Sequence, residues 1–142
     1  MEAKTEKAAD FAKLIEKAAD LHGHFGPFLV LGVRMGETAK KILKTANLKV
    51  TAKLPLSTPF SCVLDGIQVA TQCTIGNQKL KIENSSKGIC VDFQCVNTGK
   101  KLAITINSQI TKTLMKKFSE GASNEELAWE IATTPEKTKF SL

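Results

Sequence analysis

Three strand-like segments follow one another in the second half of the chain, at residues 80–83, 89–96 and 102–107. Only turn sequences separate them, Asn84-Ser85-Ser86-Lys87-Gly88 and Asn97-Thr98-Gly99-Lys100. Short polar turns join antiparallel strands, whereas parallel strands need a long crossover. This succession is not the regular alternation of a doubly wound sheet. Helical periodicity occupies the flanks. Ala8, Phe11, Leu14, Ile15 and Ala18 follow 3–4 spacing over residues 5–20. Pro27 suits the first position of a second helix running to about residue 45. Residues 48–54 alternate as a strand and stop at Pro55. A short apolar helix covers 62–71, and helices are expected at 108–118 and 124–133. The order α-α-β-α-β-β-β-α-α predicts an α+β fold, a mostly antiparallel sheet packed against helices.

At 142 residues the chain is expected to form one domain, 1–142, burying roughly 68–70% of the surface of its unfolded form. No apolar run approaches the roughly 20 residues that span a bilayer. The N-terminus is charged in both signs and lacks a signal-peptide core. A cytoplasmic protein with no membrane partner is expected. The formal charge is +6, carried by lysines scattered in short doublets at 40–41, 100–101 and 116–117. There is no basic block and no tyrosine, and Trp129 is the only tryptophan, so no nucleic-acid partner is expected.

Chemistry-bearing residues concentrate between positions 21 and 36. This run holds both histidines, His22 and His24, the only arginine, Arg34, and the glycines 23, 26, 32 and 36. Gly32 and Gly36 lie one turn apart on one helical face, which lets another backbone approach closely. In the 62–71 helix, Ser61, Asp65, Gln68 and Gln72 form a polar stripe on an otherwise apolar element. A buried aspartate needs a partner, and Arg34 is the expected one, through a bidentate pair. The stripe lines a pocket or closes a structural hydrogen-bond network.

Four cysteines stand at 62, 73, 90 and 95, without a C-x-x-C pair. Cys62 opens a helix, where a thiol's pKa can be lowered. If the fold brought His22, His24, Cys62 and Cys73 together, two sulfurs and two imidazoles would suit zinc or another divalent transition metal. Cys90 and Cys95 are an odd number of residues apart on a strand, so they face opposite ways, and core packing is expected for both.

The segment His22-Gly23-His24-Phe25-Gly26-Pro27-Phe28-Leu29-Val30-Leu31-Gly32-Val33-Arg34-Met35-Gly36 resembles the N-terminal signature of the FmdE family, which takes its name from formylmethanofuran dehydrogenase. Ser61-Cys62-Val63-Leu64-Asp65-Gly66-Ile67-Gln68 with Thr71-Gln72-Cys73-Thr74-Ile75-Gly76-Asn77 resembles its second signature. The resemblance implies an α+β core that forms intertwined homodimers, in a methanogenesis-related, archaeal or anaerobic bacterial setting. It implies a site built from His22, His24, Cys73 and Asp65, with Arg34, Gln68 and Gln72 around it. Metal would be held by His22, His24, Cys62 and Cys73 at partial occupancy. Many members carry a cysteine where this chain has Gly26, which removes one sulfur, and a glycine where it has Phe28. The chain also ends without the cysteine-rich zinc finger of some relatives, so it is expected to be the core domain alone. Two functions follow. One is action on a small C1- or pterin-related ligand through a metal or thiolate, with a histidine as general base. The other is a non-catalytic, ligand-binding or scaffold homodimer within a larger complex.

Overall fold

The computed structural model describes residues 2–134 and 140–141, with side chains from 10 to 134. Its elements are α1 (Glu2–His22), α2 (Pro27–Leu43), β1 (Leu48–Leu54), a 3₁₀ turn (Phe60–Cys62) leading into α3 (Val63–Thr71), β2 (Leu80–Asn84), β3 (Cys90–Cys95), β4 (Lys101–Ile106), α4 (Ser108–Ser119), α5 (Asn124–Thr133) and the two-residue β5 (Phe140–Ser141). The α+β class agrees with the sequence reading, and so does the element order as far as α5; the strand β5, which pairs with β4, is not in that reading. Helix α1 extends to His22, two residues beyond the end that its periodicity predicts, and α2 stops at Leu43.

The strands form one mixed sheet in the order β2-β1-β3-β4-β5. β1 and β2 are parallel, and every other pair is antiparallel. The parallel pair exists because α3 carries the chain from the end of β1 back to the start of β2. Alternation gives the sheet two unlike faces. Leu48, Val50, Ala52 and Leu54 of β1, Val91 and Phe93 of β3, and Ile104 and Ile106 of β4 belong to the same hydrophobic core as α2 and α3. The opposite face carries Lys49, Thr51, Lys53, Lys81, Glu83, Asp92, Gln94, Lys101 and Ala103, none of them buried.

α2 is the central helix, buried from Pro27 to Gly36 except at Arg34. It crosses α3 through small residues. A β-carbon placed on Gly36 would stand 2.7 Å from that of Ala70. One placed on Gly66 would stand 2.7 Å from the Val33 nitrogen and closer still to the Leu29 carbonyl oxygen. One placed on Gly32 would run into the Val63 carbonyl. The glycine face read from the sequence is thus filled by α3 of the same chain. It holds the two helices backbone to backbone, and it carries no argument for a second copy.

Candidate functional site

The site forms where the end of α1 meets the first turn of α3. Gly23 takes a positive φ of 94° directly after α1, a conformation open to glycine at little steric cost. Its N–H donates to the Ala19 carbonyl at 2.8 Å, closing the helix. This reversal folds His24 back against His22, with ring centroids 4.4 Å apart and planes inclined by 43°. Gly26 then caps α2 in extended conformation and Pro27 begins it, where a missing N–H costs nothing.

Asp65, in the first turn of α3, meets His22 across this junction. The Nδ1 of His22 lies 2.7 Å from Oδ2 of Asp65. A carboxylate accepts only, so Nδ1 carries the donated proton. Gln68, one turn later, donates from Nε2 to the other carboxylate oxygen at 3.3 Å. The His22 side chain is 13% exposed and that of Asp65 35%. The remaining nitrogen of His22, Nε2, is buried and has no hydrogen-bond partner. Leaving such a group unsatisfied costs about 1–3 kcal/mol, so an orphan atom in a polar cluster requires an explanation.

Arg34 does not reach Asp65. It lies two residues from both Gly32 and Gly36, about 200° around the helix, on the side of α2 away from α3. Its Nη1 donates to the Ala132 carbonyl of α5, and its guanidinium stands 5.6 Å from the centroid of the Phe11 ring. The aspartate expected to pair with arginine is held by histidine instead. Gln68 and Gln72 do line a groove of about 430 Å³, with Leu21, Val69, Lys17 and Thr74. Gln72 also ends α3 in left-handed conformation.

The cysteines separate. Cys73 is buried, and its thiol donates to the Leu48 carbonyl of β1 at 3.0 Å, which ties it to the sheet. Cys62 lies one turn before Asp65. Burial, and then the Asp65 charge, push its thiol above the ordinary value, the reverse of the expected activation. Burial pushes Cys73 up as well. Among the described residues no three histidine, cysteine, aspartate or glutamate side chains gather to hold a metal. The set of His22, His24, Cys62 and Cys73 is therefore not assembled within one chain. Cys90 and Cys95 do face opposite ways: Cys95 is buried, whereas Cys90 sits half-buried on the uncovered sheet face and accepts from the Thr105 hydroxyl at 3.5 Å. Core packing thus fails for Cys90, while Cys95 is buried beside the Thr98 turn and stands outside the main core cluster.

Helix α5 contributes neighbours that the sequence does not point to. Asn124 Oδ1 stands 3.2 Å from where a side chain at Gly26 would begin, and His24 Nε2 stands 3.5 Å from it. Trp129 is 62% exposed and meets Phe25 edge to face at 5.1 Å. No spacing rule links positions a hundred residues apart, so these contacts are invisible without the fold.

A family model described as "FmdE, Molybdenum formylmethanofuran dehydrogenase operon" matches residues 21–139. A protein of Archaeoglobus fulgidus described as a probable S-adenosyl-L-methionine-binding protein is 38% identical over 72 residues. That match covers 48% of this chain and 20% of the relative. The chain thus spans about a fifth of that relative's length.

Proposed function

The chain belongs to the FmdE family, and from that premise we propose that it is a binding core whose His22 and His24 hold a divalent transition metal, zinc or a similar ion, and through it a small C1- or pterin-related ligand. The observation that supports this reading is the orphaned Nε2 of His22. Metal-bound histidines commonly donate their other ring N–H to a carboxylate, which fixes the tautomer and raises ligand basicity. Asp65 does this to Nδ1, leaving a lone pair on Nε2. Bound there, such an ion would supply Lewis-acid polarisation of the ligand. His24, whose ring lies against that of His22, is the second donor. Gly26 brings no sulfur and Cys73 is engaged by β1, so the remaining positions fall to the ligand or to the second copy in a homodimer.

The same observations favour binding over thiolate catalysis. Both thiols near the signature motifs are held protonated by burial, and a thiol attacks poorly in that form. The protein is proposed to work in the cytoplasm as a homodimer, associated with a larger complex. Because of the binding named in the description of the A. fulgidus relative, S-adenosyl-L-methionine is the first small molecule to try.

Metal analysis of untagged protein tests the reading. Less than one equivalent of zinc per chain is expected. His24→Ala should abolish uptake, and Asp65→Asn should weaken it by roughly 10–100-fold. Unchanged uptake in both variants would remove the site. Sedimentation that finds a 15.4 kDa monomer at micromolar concentration would remove the dimer.

A further inference from the structure

We propose that the uncovered face of the sheet is a binding surface for a small soluble molecule carrying several phosphate groups. Lysines that look scattered in the sequence are gathered there by strand register. Thr51 pairs with Lys81 on one side and Asp92 on the other, and Asp92 pairs with Ala103. In the next row of that face, Lys49 pairs with Gln94 and Gln94 with Lys101. Adjacent strands are about 4.8 Å apart, so the cations from β2 to β4 ring an area roughly 15 Å across.

A concavity of about 740 Å³ occupies this face. Its size falls in the range of small-molecule sites, about 300–1,000 Å³. Five lysines, 49, 53, 79, 81 and 101, border it against two carboxylates, Glu83 and Asp92. Lys53 and Asp92 answer each other at 3.2 Å. Lys49, Lys79, Lys81 and Lys101 form no ion pair among the described residues, so four like charges border the same concavity. An anion that bridges several of them relieves that repulsion. Lysine suits phosphate as a mobile point charge, and Gln78 and Gln94 add amide donors to the same wall.

Other occupants fit less well. Single-stranded nucleic acid binds on aromatic platforms, and the ring of Phe93 belongs to the opposite, buried face. A protein partner needs an apolar or aromatic anchor, and the described residues that line this concavity expose no aromatic ring. A second copy would bring the same positive face, and S-adenosyl-L-methionine is itself a cation. The surface is thus distinct from the His22–Asp65 site and does not depend on the function proposed for it.

Calorimetric titration with inorganic tripolyphosphate at about 150 mM salt, where surface charges are already screened beyond roughly 8 Å, tests the proposal. Wild type and the charge-matched control Lys112→Gln/Lys116→Gln on α4 should bind alike. Lys49→Gln/Lys81→Gln should bind roughly tenfold more weakly or worse, having lost two charge-assisted contacts. Circular dichroism checks that each variant folds, and the single Lys101→Gln carries the test if the double does not. Equal loss in both double variants would reduce the effect to net charge and overturn the proposal. So would the absence of saturable binding, or a short single-stranded oligonucleotide that binds more tightly than tripolyphosphate at the same salt.

Discussion

Substituting Gly66 by alanine tests whether the α2–α3 crossing positions the site. In an exposed helix this change would gain about 0.8–1.0 kcal/mol, because alanine is the better helix former. Here the new methyl would begin 2.7 Å from the Val33 nitrogen, with the Leu29 carbonyl closer still. Ordinary contact begins near 3.4 Å, so the helices must part by more than about 0.7 Å. Both obstructing atoms are backbone, and no side-chain rotation relieves them. Overpacking typically costs about 1–3 kcal/mol, and at a backbone-to-backbone crossing the upper end applies. After the propensity gain, a net loss of about 2 kcal/mol remains. For a chain of this size that lowers Tm by roughly 5–10 °C. Gly76→Ala is the contrast, since its nearest neighbour is Thr74 Oγ1 at 3.8 Å. There a stabilisation of about 0.4–1 kcal/mol is expected from the reduced freedom of the unfolded chain. Thermal and urea unfolding of both variants should thus give opposite signs. A Gly66→Ala protein as stable as wild type would refute the close-crossing argument.

Two further outcomes follow from the site. Gly26→Cys starts a side chain 3.5 Å from His24 Nε2 at a φ of −138°, which any residue adopts. It should raise zinc affinity at least tenfold in a competition titration, and an unchanged affinity would place the metal elsewhere. Burial holds the Cys62 and Cys73 thiols above the ordinary value of 9.0. A raised folded pKa stabilises fully below the unfolded value and is lost as pH rises through the folded one. Urea midpoints should therefore fall as pH climbs above 9.0, and less steeply in Cys62→Ala/Cys73→Ala. Equal slopes would sink this account.

The sequence discloses periodicity well and pairing poorly. Alternation at 48–54 and the turn at 97–100 place β1, β3 and β4 within a residue or so of their ends, because period-2 patterning and turn chemistry are local. Asp65 is legible as a charge in need of a partner, for it lies on an apolar helix. Its partner is not, because choosing between Arg34 and His22 requires the rotation of α2 about its axis and the exact end of α1. Once Gly32 and Gly36 face α3, Arg34 must turn toward Phe11 and Ala132. The family signature sets Cys73 beside the histidines, yet its thiol is taken by the Leu48 carbonyl. The lysine surface is hidden for a different reason. Lys49, Lys81 and Lys101 are separated by tens of residues, and only strand order makes them neighbours.

Helix α3 is also the link between the only parallel pair of strands among the described residues. The His22–Asp65 bond joins positions 43 residues apart, and closing that span costs chain entropy before any contact repays it. A chain with only its β3–β4 hairpin formed has no dyad, because His22 and Asp65 lie on elements outside that hairpin. Once closed, the pair would act as a clasp: an ion bound at His22 Nε2, as proposed above, would add its binding energy to the closed form. If metal binds at His22 as proposed, amide exchange at Leu80–Asn84 should slow, although that strand lies outside the His22–Asp65 pair.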